Sequence, residues 1–413
     1  MTLNPLSRWA ARILAVMAIF FILPALFDKI WTRKSEAPLV FFSPVQKEFV
    51  YQKSLGGHQF IYADERDREF DRGAFEDLLP FVYFRNYELR NEGPLELEGR
   101  IFDRETIRSQ RQSFEIKARD LKGRRPQIAL YPLFNNDPGI AMIPFPEDVF
   151  RFTEKGMEFI NADTNRKDEA LSKRFTESLK EKGFAFLATL ISGNPTNLKP
   201  FDEGYFVKDS KGGVFHIRRV MDQPDIRKTD IPADMGILDI AVSENQRREF
   251  YGILITERSG LFLIAWDSYE LIPLPSDGYD PRRMDVKLLV NPLYRTLILT
   301  GKNRVHATVM DTEYQPLKSF TLPFSQTGSG LAGNVKDFLF PFSLSLESPW
   351  QNQASLQLQW GSLWSFGGIV LAMILYLIFL RRKGSFYRNV GEFGFLMLTG
   401  LFGLLPLLFV REN

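Results

Sequence analysis

The chain contains no cysteine and only three histidines, His58, His216 and His306, among its 413 residues. Without thiols it can form no disulfide, thiolate zinc site, iron–sulfur cluster or cysteine nucleophile. The histidines lie far apart in sequence, so a multi-histidine metal site would need all three to converge. An excess of charge of one sign is missing as well: 52 basic and 50 acidic residues leave a formal charge of +2. Nucleic-acid binding needs a strongly basic face, which this balance does not supply. There is no GxSxG, P-loop or HExxH motif, and the histidines have neither triad nor metal-ligand spacing.

What is present is a strong segregation of apolar residues, hidden by a mean hydropathy of −0.15. The run ILAVMAIFFILPALF lies between Arg12 and Asp28, with Trp9 and Trp31 at its ends like interfacial anchors. Its length also suits a secretory signal, but bulky residues follow where a peptidase needs small ones, so the run reads as an uncleaved anchor. Near the other end, Gly361 to Leu380 carries no charge and is long enough to span a hydrocarbon core. A second run follows Glu392 and ends at Val410. The link between these two runs holds Arg381, Arg382, Lys383 and Arg388, whereas no Lys or Arg occurs from Asp337 to Trp360. Positive-inside bias therefore predicts a cytoplasmic link, an external middle and a cytoplasmic N-terminus. Gly368 with Ala372 and Thr399 with Gly403 form small-xxx-small pairs. They mark either a close packing face or the general enrichment of small residues in membrane helices.

From about Thr32 to Trp360 the pattern is short apolar strands paired across turns, near Gly56, Gly156, Gly212, Gly260 and Asn303. The intervals are 100, 56, 48 and 43 residues, the last three close to the period of propeller blades. Pro232, Pro275 and Pro323 close the last three units in step with those turns, and proline suits a strand exit because it donates no ladder hydrogen bond. LELEGRIFDRETIRSQRQSFEIKARDL could hold a degenerate unit inside the long first interval, for about six units in all. The fold expected is mainly β: a β-propeller-like array, or a multi-hairpin sandwich, with one clear surface helix and three transmembrane helices. That helix is NRKDEALSKRFTESLKEKGF, with Leu171, Phe175 and Leu179 on one face, Asn165 as N-cap and Gly183 as stop. A shorter turn of helix is expected after Asp71.

The stretch FDEGYFVKDSKGGVFHIRRV combines Asp202 and Glu203 with a Gly-Gly turn and His216. A phosphate cradle would lead from strand to helix, whereas a strand follows here, so a hairpin is expected, with His216 an interior or cross-strand neighbour. Asp71, Glu76 and Asp77 have the residue types for glycoside cleavage but read as a solvated cap. Asp280 and Asp285 beside Arg282 and Arg283 read as a salt-bridged loop. TGSG and GLAGN, between Thr327 and Asn334, are read as lacking a following helix. No catalytic, cofactor-binding or metal-ligating residue is assigned, and no cofactor is expected.

The phrases ISGNPTNLKPFDEGYFVKDSKGGVFHI, SENQRREFYGILITE, IPLPSDGYDP and DEALSKRFTESLKEKGF together resemble an uncharacterised family of bacterial inner-membrane proteins, a domain of unknown function. The resemblance implies an inner-membrane protein associated with ABC-transporter gene neighbourhoods, and it carries over no active-site residue. The expected organisation is an anchor over 1–31, an extracytoplasmic β-rich domain over 32–360 and a helical hairpin over 361–413. The function expected is that of a non-enzymatic accessory or sensor protein of the bacterial inner membrane. Its periplasmic domain would bind a protein, peptide or envelope ligand, and its helices would dock on a membrane partner such as an ABC-type permease. The rivals are a membrane-anchored hydrolase or lyase with its site at the mouth of the array, and a structural scaffold. The partners expected are the lipid bilayer and that membrane protein, and no nucleic acid.

Overall fold

Each turn expected at Gly156, Gly212 and Gly260 joins two neighbouring antiparallel strands, and repetition of this step builds a series of up-and-down sheets. At Gly212 the backbone takes φ +88°, which glycine adopts without steric cost. The computed structural model describes residues 5–31, 36–90, 94–121, 128–137, 143–324, 331–350, 353–383 and 390–409. It divides into two units, one of residues 38–52 and 61–323, the other of 1–37, 53–60 and 324–413.

Among the described residues the chain forms five sheets of four or five strands and two small two-stranded ones. The first runs between Leu39 and Phe70, and the second combines Tyr131–Pro132 with three strands between Asp148 and Asp168. The third holds Leu190–Gly193, Tyr205–Lys208, Val214–Val220 and Gln223–Lys228, joined by Asn135–Asn136 in parallel with Val214–Val220. The fourth spans Ile237 to Leu274, and the fifth spans Asp285 to Pro323. The fifth sheet gains an edge strand from far upstream: Gln112–Ile116 pairs antiparallel with Asp285–Val290.

Strand alternation places apolar side chains on both faces of the middle sheets, so neighbouring sheets must cover one another. Phe150 of the second sheet meets Tyr205 of the third at 5.0 Å between ring centroids, and Phe206 of the third meets Tyr251 of the fourth at 5.9 Å. Ile253, Ile255 and Leu263 of the fourth form one core with Val286, Leu288 and Leu299 of the fifth. Phe49 of the first sheet stacks on Phe320 of the fifth at 5.7 Å. Each such buried side chain contributes about 1.5–3 kcal/mol relative to exposure. The order of stacked sheets is second, third, fourth, fifth, first, a blade-like succession.

Three expectations need correction here. The segment expected to hold a degenerate sixth unit forms a hairpin of Leu95–Leu97 with Arg100–Phe102, the helix Arg104–Gln110 and the strand lent to the fifth sheet. Its own hairpin stays a two-stranded sheet and does not reach the four strands of the larger sheets. The surface helix is Glu169–Glu181, and its N-cap is Asp168, whose carboxylate accepts from the Leu171 amide, rather than Asn165, which sits in the preceding turn at φ +52°. GLAGN does enter a helix, Leu331–Leu339, while residues 325–330 lie outside the described residues.

The helix Glu169–Glu181 lies on the second sheet as its apolar stripe requires, with Phe175 against Phe159 at 4.8 Å and Ser172 Oγ accepting from the Phe159 amide. The short helix Arg72–Asp77 is capped by Asp71, as expected.

In the other unit, Ile13–Trp31 has a mean hydropathy of 2.2 and is the one helix among the described residues long and apolar enough to cross a membrane. Three such helices were expected. The other two apolar segments are helical but shorter, Trp364–Phe379 and Gly391–Leu407. The first begins only at Trp364, and the second is interrupted by a 3-10 turn at Gly400–Gly403, where Gly400 takes φ +59°. The small residues do pack closely. A Cβ on Gly368 would come within 1.9 Å of the Phe338 carbonyl oxygen, and Ala372 is fully buried among Tyr376, Leu396 and Leu404.

Candidate functional site

The loop from Asn194 to Gly204 connects the first two strands of the third sheet, and it carries the densest buried charge in the larger unit. Its conformation is set by a two-point clamp. The Asn136 side chain donates to the Asp202 carbonyl at 2.7 Å and accepts from the Asp202 amide at 2.8 Å. This fixes Asp202 facing inward, where it meets Lys199.

The Lys199 ammonium is buried and donates to Asp202 Oδ1 at 2.5 Å, Glu244 Oε1 at 2.9 Å and the Asn194 carbonyl at 2.6 Å. It also lies 4.6 Å from the centre of the Phe134 ring. Glu244 is satisfied on both oxygens, because Asn194 Nδ2 donates to its Oε2 at 2.7 Å. Asp202 is not: its Oδ2 is buried and has no hydrogen-bond partner among the described residues. One ammonium thus serves two carboxylates, both about 1% exposed. Burial pushes the Asp202 carboxyl up to about 6, with Lys199 opposing the shift.

Glu203 continues the cluster. Arg218 Nη1 donates to its Oε2 at 3.1 Å and Arg218 Nη2 to Asp225 Oδ2 at 2.5 Å. Burial raises the Glu203 carboxyl to about 7, against the pull of Arg218. His216 lies behind it, with Nε2 2.6 Å from the Glu203 carbonyl oxygen and Nδ1 2.8 Å from the Tyr269 hydroxyl. A carbonyl only accepts, so Nε2 carries the proton and Nδ1 accepts from Tyr269. Burial, aided by Arg218, depresses the imidazole to about 3, so it is neutral at ordinary pH. The hairpin expected across Asp209–Gly213 is present, and His216 is the cross-strand neighbour of Phe206.

Two concavities flank this cluster. The first is a cavity of about 840 Å³ where four edge strands of different sheets meet: Gln112–Ile116, Tyr131–Pro132, Leu190–Gly193 and Ile237–Val242. Asn194, Tyr205 and Asp239 bring polar groups to its wall. Asp239 Oδ1 accepts from Ser192 Oγ at 2.7 Å and from the Ile240 amide at 2.8 Å. The second is a cleft of about 500 Å³ with Asn136, Phe201, Asp202, Glu203, Arg218 and Asp225 on its walls.

Other sequence candidates are held in structural roles. Glu76 is clamped by Arg72 and Arg90, each at 2.9 Å, and Asp77 pairs with Arg90 at 2.7 Å, so the acidic group around Asp71 is a cap and an ion network. Asp280 pairs with Arg283 at 3.8 Å, whereas Asp285 accepts from the Ala118 amide, tying the fifth sheet to its upstream strand. His58 is exposed at a hairpin tip. His306 lines a separate cleft of about 540 Å³ with Asp277, but its Nδ1 is engaged by Thr321 Oγ1 at 2.8 Å. No group of three or more His, Asp or Glu among the described residues is arranged to hold a metal ion.

Sequence reasoning missed Lys199, Glu244, Asn136 and Asn194, because the residues that meet are up to 66 positions apart. The local sign was a lysine three residues before an acidic pair in a Pro-rich loop.

A mainly β chain of stacked antiparallel sheets is the class that this geometry defines. The chain belongs to the family described as a domain of unknown function, DUF4857, whose model matches residues 39–310. That span covers the five sheets up to Met310. No curated protein matches it. Among solved structures, it has similarity to the dihydro-heme d1 dehydrogenase NirN in complex with DHE, at 10% identity and a TM-score of 0.27. The alignment covers 79% of this chain and 54% of that one, so the chain spans about half the length of that protein.

Proposed function

We propose that this protein is a non-enzymatic accessory or sensor of the bacterial inner membrane, whose β-rich domain binds an envelope ligand in the cavity where the four edge strands meet. The observation that carries the reading is the meeting of four edge strands around about 840 Å³ of space with a mixed polar and apolar wall. The apolar helix Ile13–Trp31, with Ile13, Leu14, Ile22 and Ile30 exposed, supports a membrane anchor. The cationic link after Leu380 supports a cytoplasmic N-terminus and an external β domain. Exposed Phe366, Val370, Ile374 and Ile378 on the helix Trp364–Lys383 offer a surface to lipid or to a membrane partner, an ABC-type permease in this reading.

Site-specific photocrosslinking tests the cavity. A photoreactive residue at Leu130, on the wall, should capture an envelope component that the same residue at exposed Lys211 does not. Equal labelling at both positions would overturn the assignment. For the partner, recovery of the protein alone from several mild detergents would count against docking.

A further inference from the structure

We propose that the cleft on the last two strands of the fifth sheet, Arg304–Met310 and Pro316–Pro323, binds a phosphate group with the Arg304 guanidinium as its principal donor. The inference does not rest on the cavity between the four edge strands, which has a different wall. Along the first of these strands Val305, Ala307 and Val309 are fully buried on one face, so Arg304, His306 and Thr308 fall on the other. Ladder register sets Thr321 opposite His306 and Ser319 opposite Thr308. All five of these side chains line a cleft of about 540 Å³.

Arg304 is exposed, and its side chain makes no hydrogen bond or ion pair with any described residue, so its N–H donors are unspent. The neighbouring loop leaves it room: Gly278 takes φ +69°, and a Cβ there would stand 3.3 Å from Arg304 Nη2. A second donor follows from the imidazole. Thr308 is 5% exposed, and the one partner of its Oγ1 among the described residues is His306 Nε2 at 3.4 Å. A buried hydroxyl proton needs an acceptor, so Nε2 accepts and the ring carries its proton on Nδ1. Nδ1 lies 2.8 Å from Thr321 Oγ1, which therefore accepts from the ring and keeps its own O–H to donate into the cleft. Burial and the nearby Arg304 hold the imidazole below its ordinary range, in keeping with this neutral form. Exposed Ser319 adds a further hydroxyl.

The remaining charges select the ligand. Lys318 lines the cleft, but its ammonium is held by Glu65 at 2.6 Å. Asp277 is the one carboxylate on the wall, and its side chain has no partner among the described residues. Sulfate or an ionised carboxylate has no proton to give and would meet only repulsion there. A phosphate that keeps a P–O–H group accepts from Arg304 and Thr321 and donates to Asp277.

The test is calorimetric titration of the full chain in dodecyl maltoside, which holds no phosphate, at about pH 6, near the second pKa of a phosphomonoester. One arm uses inorganic phosphate and the other dihexanoyl phosphatidic acid, so that a free ion and a lipid headgroup are told apart by which binds more tightly. The expected result is saturable binding of at least one phosphate probe, with sulfate bound at least tenfold more weakly. Arg304→Gln, a change at an exposed position, should weaken phosphate binding at least tenfold, and Asp277→Asn should abolish the preference over sulfate. With only three histidines in the chain, isotope-labelled imidazole spectra resolve His306, whose proton should sit on Nδ1 in the phosphate complex. Absence of saturable binding by both phosphate probes, sulfate bound as tightly as phosphate, or wild-type affinity in Arg304→Gln would each overturn the proposal. So would an undiminished preference in Asp277→Asn, or a proton on Nε2.

Discussion

The imidazole of His216 lies flat on the ring of Phe206, with centroids 4.4 Å apart and planes within 3° of parallel. The two residues are cross-strand partners, so sheet register alone brings the rings together. Replacing His216 by Ala removes this stack and leaves the Glu203 carbonyl and Tyr269 hydroxyl without their partner. A loss of about 2–4 kcal/mol is expected, read from denaturant midpoints.

The same histidine and its acidic neighbours pull stability in opposite directions with pH. The folded His216 titrates near 3, below its ordinary 6.5, so its contribution is present above about 6.5 and is lost as pH falls toward 3. Folded Asp202 and Glu203 titrate near 6 and 7, above 3.8 and 4.5. Their contributions are therefore complete below those ordinary values and are lost as pH rises through 6 and 7. The two carboxyls therefore predict a fall in stability between about pH 4 and 7, offset in part below 6.5 by the opposite slope of His216. Glu203→Gln should flatten that fall in urea titrations across the range, and an unchanged slope would refute the assignment.

Lys199 is the only cation in contact with Asp202 and Glu244 among the described ion pairs. Lys199→Met should cost about 3–5 kcal/mol, because it strands two buried carboxylates. Adding Glu244→Gln to that variant should recover part of the loss, so a double-mutant cycle should show clear non-additivity.

Gly204 closes the loop at φ +63°, and a Cβ there would lie 2.1 Å from the Ile217 carbonyl oxygen. Gly204→Ala is expected to cost at least about 2 kcal/mol and to disturb the clamp on Asp202. Thermal unfolding would show the loss.

If Ile13–Trp31 anchors the protein, the full chain should stay with membranes through alkaline carbonate washing. A reporter fused after Lys383 should be active on the cytoplasmic side. External activity of that fusion would invert the topology.

Much of the sheet architecture was legible because a strand's signal is local. Alternating apolar residues flank a glycine turn, and Gly156, Gly212 and Gly260 each sit where the pattern places them. The prolines were legible for a related reason: Pro323 ends the last strand of the fifth sheet, and Pro275 immediately follows the last strand of the fourth. Helix caps were less readable, since Asn165 and Asp168 are both good capping residues and only backbone geometry chooses between them. The candidate site was not legible. Asn136, Lys199 and Glu244 meet through pairing of distant strands, and no spacing rule connects them.

The strand Gln112–Ile116 has a consequence for biosynthesis. The Ala118 amide and Asp285, which lock that strand to its host, are 167 residues apart. At ~5–20 residues per second, the earlier segment waits on the order of ten to thirty seconds for its partner to emerge from the ribosome. During that delay an apolar ribbon bearing Phe114 and Ile116 stands without its mate, so a chaperone that shields nascent chains should govern the yield of this protein more than its final stability does.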